Sequence, residues 1–232
     1  MTDYVISRHP VASAAVAGSE ARFPVRRIFC VGRNYAAHAR EMGKDPNRDA
    51  PFFFTKPADA LVDNHQTVAY PKETENFHFE AELVVAIGKD GSNIPEEKSL
   101  DHIWGYAVGN DFTRRDLQLE AREKGRPWDW GKAFDQSAVC AAIHPVEEVG
   151  HPDKGSIKLT VNGDVKQDAD LAELIWSVPE IISILSHSMD LKAGDLIYTG
   201  TPAGVGPLVP GDVCVVSIEG LGELTTTISE RL

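Results

Sequence analysis

Phe77-His78-Phe79-Glu80-Ala81-Glu82-Leu83-Val84-Val85-Ala86-Ile87-Gly88 reads as a β-strand, because Phe79, Ala81, Leu83, Val85 and Ile87 fall on one side of a two-residue alternation. The other side carries His78, Glu80 and Glu82 and turns apolar again at Val84 and Ala86. Strand side chains at i and i+2 point the same way, roughly 6.5–7 Å apart. Two carboxylates so placed repel each other, and the cost rises if the face is covered. The face is therefore either solvated, the ordinary place for charged strand residues, or covered with a cation between the acids.

The next strand-like run, Ile103-Trp104-Gly105-Tyr106-Ala107-Val108-Gly109-Asn110-Asp111, ends in a third acid. Two Glu and one Asp form a hard, all-oxygen donor set suited to Mg²⁺, Mn²⁺ or Ca²⁺. Asp111 has a competing role as the N-cap of the helical pattern that follows it. Thr113 and Asp116 already have capping-box spacing, however, which leaves Asp111 available as a ligand.

Outward from these strands, 232 residues suffice for a substantial core. A charged fraction of 25% and a hydrophobic fraction of 42% describe an ordinary soluble globular chain. The formal net charge of −12 argues against nucleic acid and anionic membrane as partners. An anionic substrate would need a local cluster of cations or a metal. The longest apolar runs fall far short of a membrane span, and the N-terminus has no signal-peptide layout. Cys30, Cys140 and Cys214 lack CxxC spacing and lie in apolar runs, so buried thiols and a reducing cytoplasm are expected.

Residues 1–22 are weakly patterned, an arm or edge strand ahead of a single domain over 23–232. Arg27-Ile28-Phe29-Cys30-Val31-Gly32 is a buried strand. Asn34 as N-cap and Gly43 as the residue after the last turn then frame a short helix. His38 and Glu41 stand at i and i+3 on its face. The polar run from Lys44 to Pro51 is a candidate mobile loop. Phe52-Phe53-Phe54 suits the core, or a substrate box. Residues 114–124 read as a helix closed by Gly125 and Pro127. Lys132 is a lone cation in an aromatic setting, where a snorkelling surface lysine is the ordinary reading. Asn162-Gly163 marks a type I′ hairpin, and Ser177-Val178-Pro179-Glu180 a capping box. Tyr198 to Pro207 is too glycine-rich to be regular; it either brings backbone N–H groups to an anion or turns a barrel corner.

Five of these motifs form a recognisable set: Cys30-Val31-Gly32-Arg33-Asn34-Tyr35; Glu80-Ala81-Glu82; Gly105-Tyr106 leading to Asp111-Phe112-Thr113-Arg114-Arg115-Asp116-Leu117-Gln118; Pro127-Trp128 with Lys132-Ala133-Phe134-Asp135; and Thr199-Gly200-Thr201-Pro202-Ala203-Gly204-Val205-Gly206. In this order, from about Phe23 to Gly222, the chain resembles the fumarylacetoacetate hydrolase family. It is most similar to the short, single-domain acylpyruvate hydrolases, and among these to bacterial members acting on fumarylpyruvate in aromatic-acid catabolism. The resemblance implies an α+β, mostly β fold, a mixed β-roll or partly closed barrel with short peripheral helices, usually in a homodimer. It implies Mg²⁺ or Mn²⁺ (Ca²⁺ in crystals) held by Glu80, Glu82 and Asp111. Lys132 and Gln118 match active-site positions, and Thr201 the loop at the substrate's carboxylate end. His38 and Glu41 match the pair that activates water, beside a loop that closes over the substrate. Arg33 or Arg115 would hold a distal carboxylate, with structural ion pairing an equal reading for Arg115. The implied reaction is hydrolysis of the C–C bond of a 2,4-dioxo acid such as fumarylpyruvate. Oxaloacetate decarboxylation is the rival within the family. A metal-stabilised structural or binding protein is the rival outside enzymology, and the intact set of acids, Lys132 and His38 argues against it.

Overall fold

The computed structural model describes residues 3–37 and 50–231. The two acid-bearing stretches lie in the middle of a mixed sheet that has eight strands among the described residues. From edge to edge the main path runs Phe52–Lys56, Arg27–Gly32, Asp195–Tyr198, Ala81–Ile87, Ile103–Asp111, Ala138–Cys140 and Leu61–Asp63. Ala81–Ile87 pairs antiparallel with Ile103–Asp111, with Ala81 opposite Asn110 and Glu82 opposite Gly109. This register puts all three acids at one end of two neighbouring central strands.

Alternation along Ala81–Ile87 builds two cores. Ala81, Leu83, Val85 and Ile87 pack in one with Leu159, Ile182 and Val216, while Val84 and Ala86 pack in another with Ile28, Cys30, Leu196 and Tyr198. Each fully buried Val, Leu or Ile contributes about 1.5–3 kcal/mol, so the strand that carries the acids is anchored from both faces. The solvated-face reading of Glu80 and Glu82 is thereby excluded.

The strand expected over 77–88 is in fact two, Phe77–Phe79 and Ala81–Ile87, interrupted at Glu80. Phe77–Phe79 joins Thr113–Arg114 and Gly206–Pro207 in a separate three-stranded sheet. Side chains complete the backbone bonding at the break. Glu80 N–H donates to Asn110 Oδ1 (2.9 Å), Ala81 N–H donates to Gln167 Oε1 (3.0 Å), and the Glu80 carbonyl accepts from Asp111 N–H (2.9 Å). Alternation continues through such a break, so the sequence pattern does not reveal it.

A five-stranded sheet of Asp164–Asp170, Ser156–Val161, Val213–Ile218, Gly222–Ser229 and Thr67–Ala69 covers one core. Its Asn162-Gly163 turn has φ of 53° and 88°, both left-handed as a type I′ turn requires. The helices among the described residues are short and peripheral. Arg115–Glu123 runs out near Gly125 (φ 63°), and Val178–Ser188 opens with the Glu180 carboxylate accepting from Ser177 N–H and Oγ–H (2.9 and 2.8 Å). A hairpin of Ser13–Val16 and Ser19–Pro24 continues across the expected 22/23 boundary. The fold is mostly β, with a curled half-barrel sheet, as expected. The three cysteines are buried and free. Among the described residues no helix is long and apolar enough to cross a membrane.

Candidate active site

Glu80, Glu82 and Asp111 are 5%, 2% and 0% exposed, and one carboxylate oxygen from each lies within 4.8 Å of the others. Three buried negative charges this close persist only with compensating cations. Lys132, itself 2% exposed, supplies one. Its Nζ donates to Glu80 Oε2 (2.7 Å), Asp111 Oδ2 (2.8 Å) and Thr113 Oγ1 (2.6 Å). The surface-lysine reading is thus corrected. The four-residue helix Asp129–Lys132 turns the side chain inward, where it bridges two acids. Burial works against the ammonium, but the charges of Asp111 and Glu80 outweigh it and leave the Lys132 pKa raised.

Lys56 is a second buried cation that sequence reasoning missed. Its side chain is fully buried, its Nζ lies 2.8 Å from Asp111 Oδ1, and it donates to the backbone carbonyls of Phe112 (3.0 Å) and Lys132. Burial outweighs the pull of Asp111 here, so its pKa is lowered. The available signal was the one that singled out Lys132, a lone lysine closing an aromatic run. Arg115 completes the set by pairing with Glu80 Oε1 and donating to Gln118 Oε1. Of the two roles open to Arg115, the ion pair is the one observed. His78, whose pKa is lowered to about 4 by burial and the Arg115 charge, is neutral near pH 7 and accepts from Arg115 Nε at 3.4 Å.

Glu82 has a different partner. The N–H of Gly200 donates to its Oε2 at 2.7 Å. Gly200 has φ of 102°, and a Cβ there would stand 2.7 Å from Asn34 Cβ, so both conformation and space require glycine. The glycine-rich loop does present an N–H to an anion, and that anion is a side chain of the cluster. Burial, then repulsion from Asp111 and Glu80, holds the Glu82 carboxyl well above the ordinary range.

This donor set fits a divalent cation. All the donors are hard carboxylate oxygens, and each carboxylate has about four lone-pair sites, so capacity remains beside Lys132, Lys56 and Arg115. A divalent ion would favour the ionised form of Glu82, which the protein alone disfavours.

Gln118 and Thr201 are buried and line the same pocket as Glu80, Glu82, Lys132 and Arg33. Thr201 Oγ1 accepts from Gln167 Nε2 at 2.9 Å. Arg33 has φ of 60° and places its guanidinium 5.0 Å from the Phe52 ring centroid. Phe52, Phe53 and Phe54 are half-buried and border a cleft, so the run is not purely core. Two capping expectations are corrected. Among the described residues Asn34 caps no helix: its Oδ1, the atom a cap would use, accepts from Trp176 N–H (2.7 Å), and its amide donates to the Trp176 and Thr199 carbonyls (2.9 and 2.8 Å), tying down the loop before Gly200. Thr113 and Asp116 form no capping box, because Thr113 serves Lys132 while Asp116 accepts from Thr74 Oγ1–H and Glu75 N–H. His38, Glu41 and the candidate loop up to Asp49 lie outside the described residues.

A sequence model of the fumarylacetoacetate hydrolase C-terminal domain matches residues 27–229. The chain belongs to the fumarylacetoacetate hydrolase family. Within the family it is 49% identical over 184 residues to a fumarylpyruvate hydrolase from a Ralstonia species, covering 79% of this chain and 95% of the relative. It is 39% identical over 205 residues to a mitochondrial oxaloacetate tautomerase from Homo sapiens, covering 88% and 92%. The crystal structure of fumarylpyruvate hydrolase from Pseudomonas aeruginosa in complex with Mn²⁺ and pyruvate superposes with a TM-score of 0.97 at 51% identity, covering 99% of this chain and all of that one. The central-sheet acids, the buried lysines and the glycine loop thus sit on the fumarylacetoacetate hydrolase scaffold.

Proposed function

We propose that this chain is a metal-dependent acylpyruvate hydrolase that splits fumarylpyruvate into fumarate and pyruvate, acting in the cytoplasm as a homodimer in aromatic-acid catabolism. The catalytic unit would be residues 23–232, with 1–22 as an arm joined to it through the strand Ser19–Pro24. The observation that carries the reading is the convergence of Lys132 on two of three clustered, buried carboxylates. It is supported by the high identity to relatives named for this reaction.

Cleaving a C–C bond requires a leaving carbanion, and a 2,4-dioxo acid provides one as the enolate of pyruvate. Bound Mg²⁺ or Mn²⁺, held by Glu80, Glu82 and Asp111, would supply Lewis acidity at the 2-oxo acid end. Lys132 would place positive charge beside the oxyanion that develops in the transition state. Gln118 and Thr201 would orient the pyruvoyl carboxylate, and Arg33 would stand towards the far end of the substrate. His38, oriented by Glu41, would take a proton from the water that attacks C4.

Oxaloacetate decarboxylation is the nearest alternative; the 39% identical relative named for oxaloacetate is a tautomerase, whose reaction releases no pyruvate. Pyruvate release from fumarylpyruvate and from oxaloacetate, with and without EDTA, decides between them. Fast, EDTA-sensitive cleavage of fumarylpyruvate is expected. Preference for oxaloacetate would favour the rival, and full activity after exhaustive chelation would remove the metal from either.

Lys132→Met retains most of the stem and deletes the charge. The expected loss in kcat/KM is about 2–4 kcal/mol of transition-state stabilisation, roughly 30- to 1,000-fold. Because Lys132 also neutralises buried acids, the variant should unfold at lower temperature without metal and recover with saturating Mn²⁺. A near-normal rate combined with that stability pattern would make Lys132 a structural counter-ion alone.

A further inference from the structure

With a net charge of −12, the chain repels a dianion at long range and must invert the field locally. Beside the acid–lysine cluster opens a cleft of about 550 Å³, within the range of small-molecule sites. It shares Arg33, Phe54, Arg122, Trp128 and Lys132 with the pocket containing Glu80 and Glu82, so the two form one space. Its walls are aromatic: Phe52 meets Trp128 edge-on at 5.0 Å, and Phe54 lies 5.8 Å from the same indole. Such flat walls suit a planar, conjugated chain. Three arginines, Arg33, Arg122 and Arg126, line this cleft against one acid, Asp129, which reverses the sign of the molecule's net charge at this point.

Arg115, Gln118 and Arg122 lie at i, i+3 and i+7, on one face of the Arg115–Glu123 helix. Arg115 and Gln118 are engaged with Glu80 and with each other. Arg122 is exposed, and among the described residues its guanidinium forms no ion pair. At 1.5 Å per residue it stands about 10 Å farther along the helix than Arg115. The two carboxyl carbons of fumarylpyruvate are six bonds apart, about 7 Å in an extended chain, the span of two extended residues. A substrate with its pyruvoyl end at Lys132 and the acids would therefore carry its distal carboxylate towards Arg122. Taken with the acylpyruvate reading on which it rests, the geometry points to Arg122 as the residue that selects substrates bearing a second carboxylate. Arg126 strengthens the field at the rim. Arg115 is excluded from this task by its bonds to Glu80 and Gln118.

The test compares fumarylpyruvate with acetylpyruvate, the same dioxo acid ending in a methyl group, at saturating Mn²⁺ for wild type, Arg122→Gln, Arg122→Lys and Arg126→Gln. In Arg122→Gln the ratio of kcat/KM values, fumarylpyruvate over acetylpyruvate, should fall about 10–100-fold, as expected for a lost charge-assisted hydrogen bond. The change should appear mainly in KM for fumarylpyruvate. Arg122→Lys should restore part of the ratio, and Arg126→Gln should lower it less. Equal losses on both substrates, or an unchanged ratio, overturn the assignment and leave the hydrolase reading intact. A wild type that cleaves neither compound removes the hydrolase reading itself, and the assignment with it. Arg122 is solvent-exposed on a helix surface, so these substitutions leave the core untouched.

Discussion

Asp111→Ala is expected to eliminate measurable hydrolysis, to weaken Mn²⁺ binding and to lower stability in metal-free protein. The three losses share one cause. Asp111 is fully buried, with Lys132 Nζ 2.8 Å from one carboxylate oxygen and Lys56 Nζ 2.8 Å from the other. Truncation reduces three candidate metal ligands to two and leaves Lys56 without its carboxylate. Removing one member of a buried ion pair costs about 3–5 kcal/mol, against a total stability of about 5–15 kcal/mol for a typical protein. Asp111→Asn retains the volume and one acceptor oxygen, so it serves where the Ala variant folds poorly. Calorimetric titration with Mn²⁺ and thermal unfolding with and without the ion separate the contributions. A ligand role requires the variant to lose most of the stabilisation that Mn²⁺ confers on wild type. A variant that still gains full stabilisation from Mn²⁺ would restrict Asp111 to pairing the lysines.

His38→Ala carries the second large effect and separates hydrolysis from decarboxylation within one site. Both reactions generate the enolate of pyruvate, so both depend on the cluster around Lys132. Hydrolysis alone needs a base to activate water, and the proposed mechanism gives that role to His38, with Glu41, three residues on in the sequence, as its orienter. The acylpyruvate reaction should slow on the order of 10²–10⁴-fold, the span for loss of a general base, while any oxaloacetate decarboxylation falls far less or rises. Glu41→Gln should show a milder version, because it retains the imidazole but removes the charge that supports its protonated form. Rates on both substrates at saturating metal provide the check. Equal losses would mean that His38 positions the substrate and is not the hydrolytic base.

Much of this protein is legible in short windows. Alternation in Ala81–Ile87 and Ile103–Asp111 identifies the central strands, because side-chain direction in a strand has period two whatever surrounds it. Asn162-Gly163 identifies its turn, because only a few residues tolerate two successive left-handed conformations. The three acids stand out because charges on an otherwise apolar strand conflict with its pattern, and conflicts between levels concentrate at functional sites.

Pairing across the chain was not legible locally. The sequence offered Asn34 and Thr113 as helix caps, since their types suit that role, but tertiary structure uses Asn34 to tie the Trp176 and Thr199 backbones and Thr113 to hold Lys132. The break at Glu80 depends on Asn110 and Gln167 reaching the backbone from other strands. Lys132 looked like a residue whose head would reach water, and Lys56 was not singled out. Strand order buries both instead: the Phe52–Lys56 strand lies at the sheet edge beside Arg27–Gly32, and the Asp129–Lys132 helix closes over the acids. The sequence by itself determined the strands, the turn and the acids, because those follow from backbone geometry and side-chain period. Which cation meets which acid was decided only by the tertiary structure, because charge pairing depends on distance in space and on the burial that removes water from between the partners.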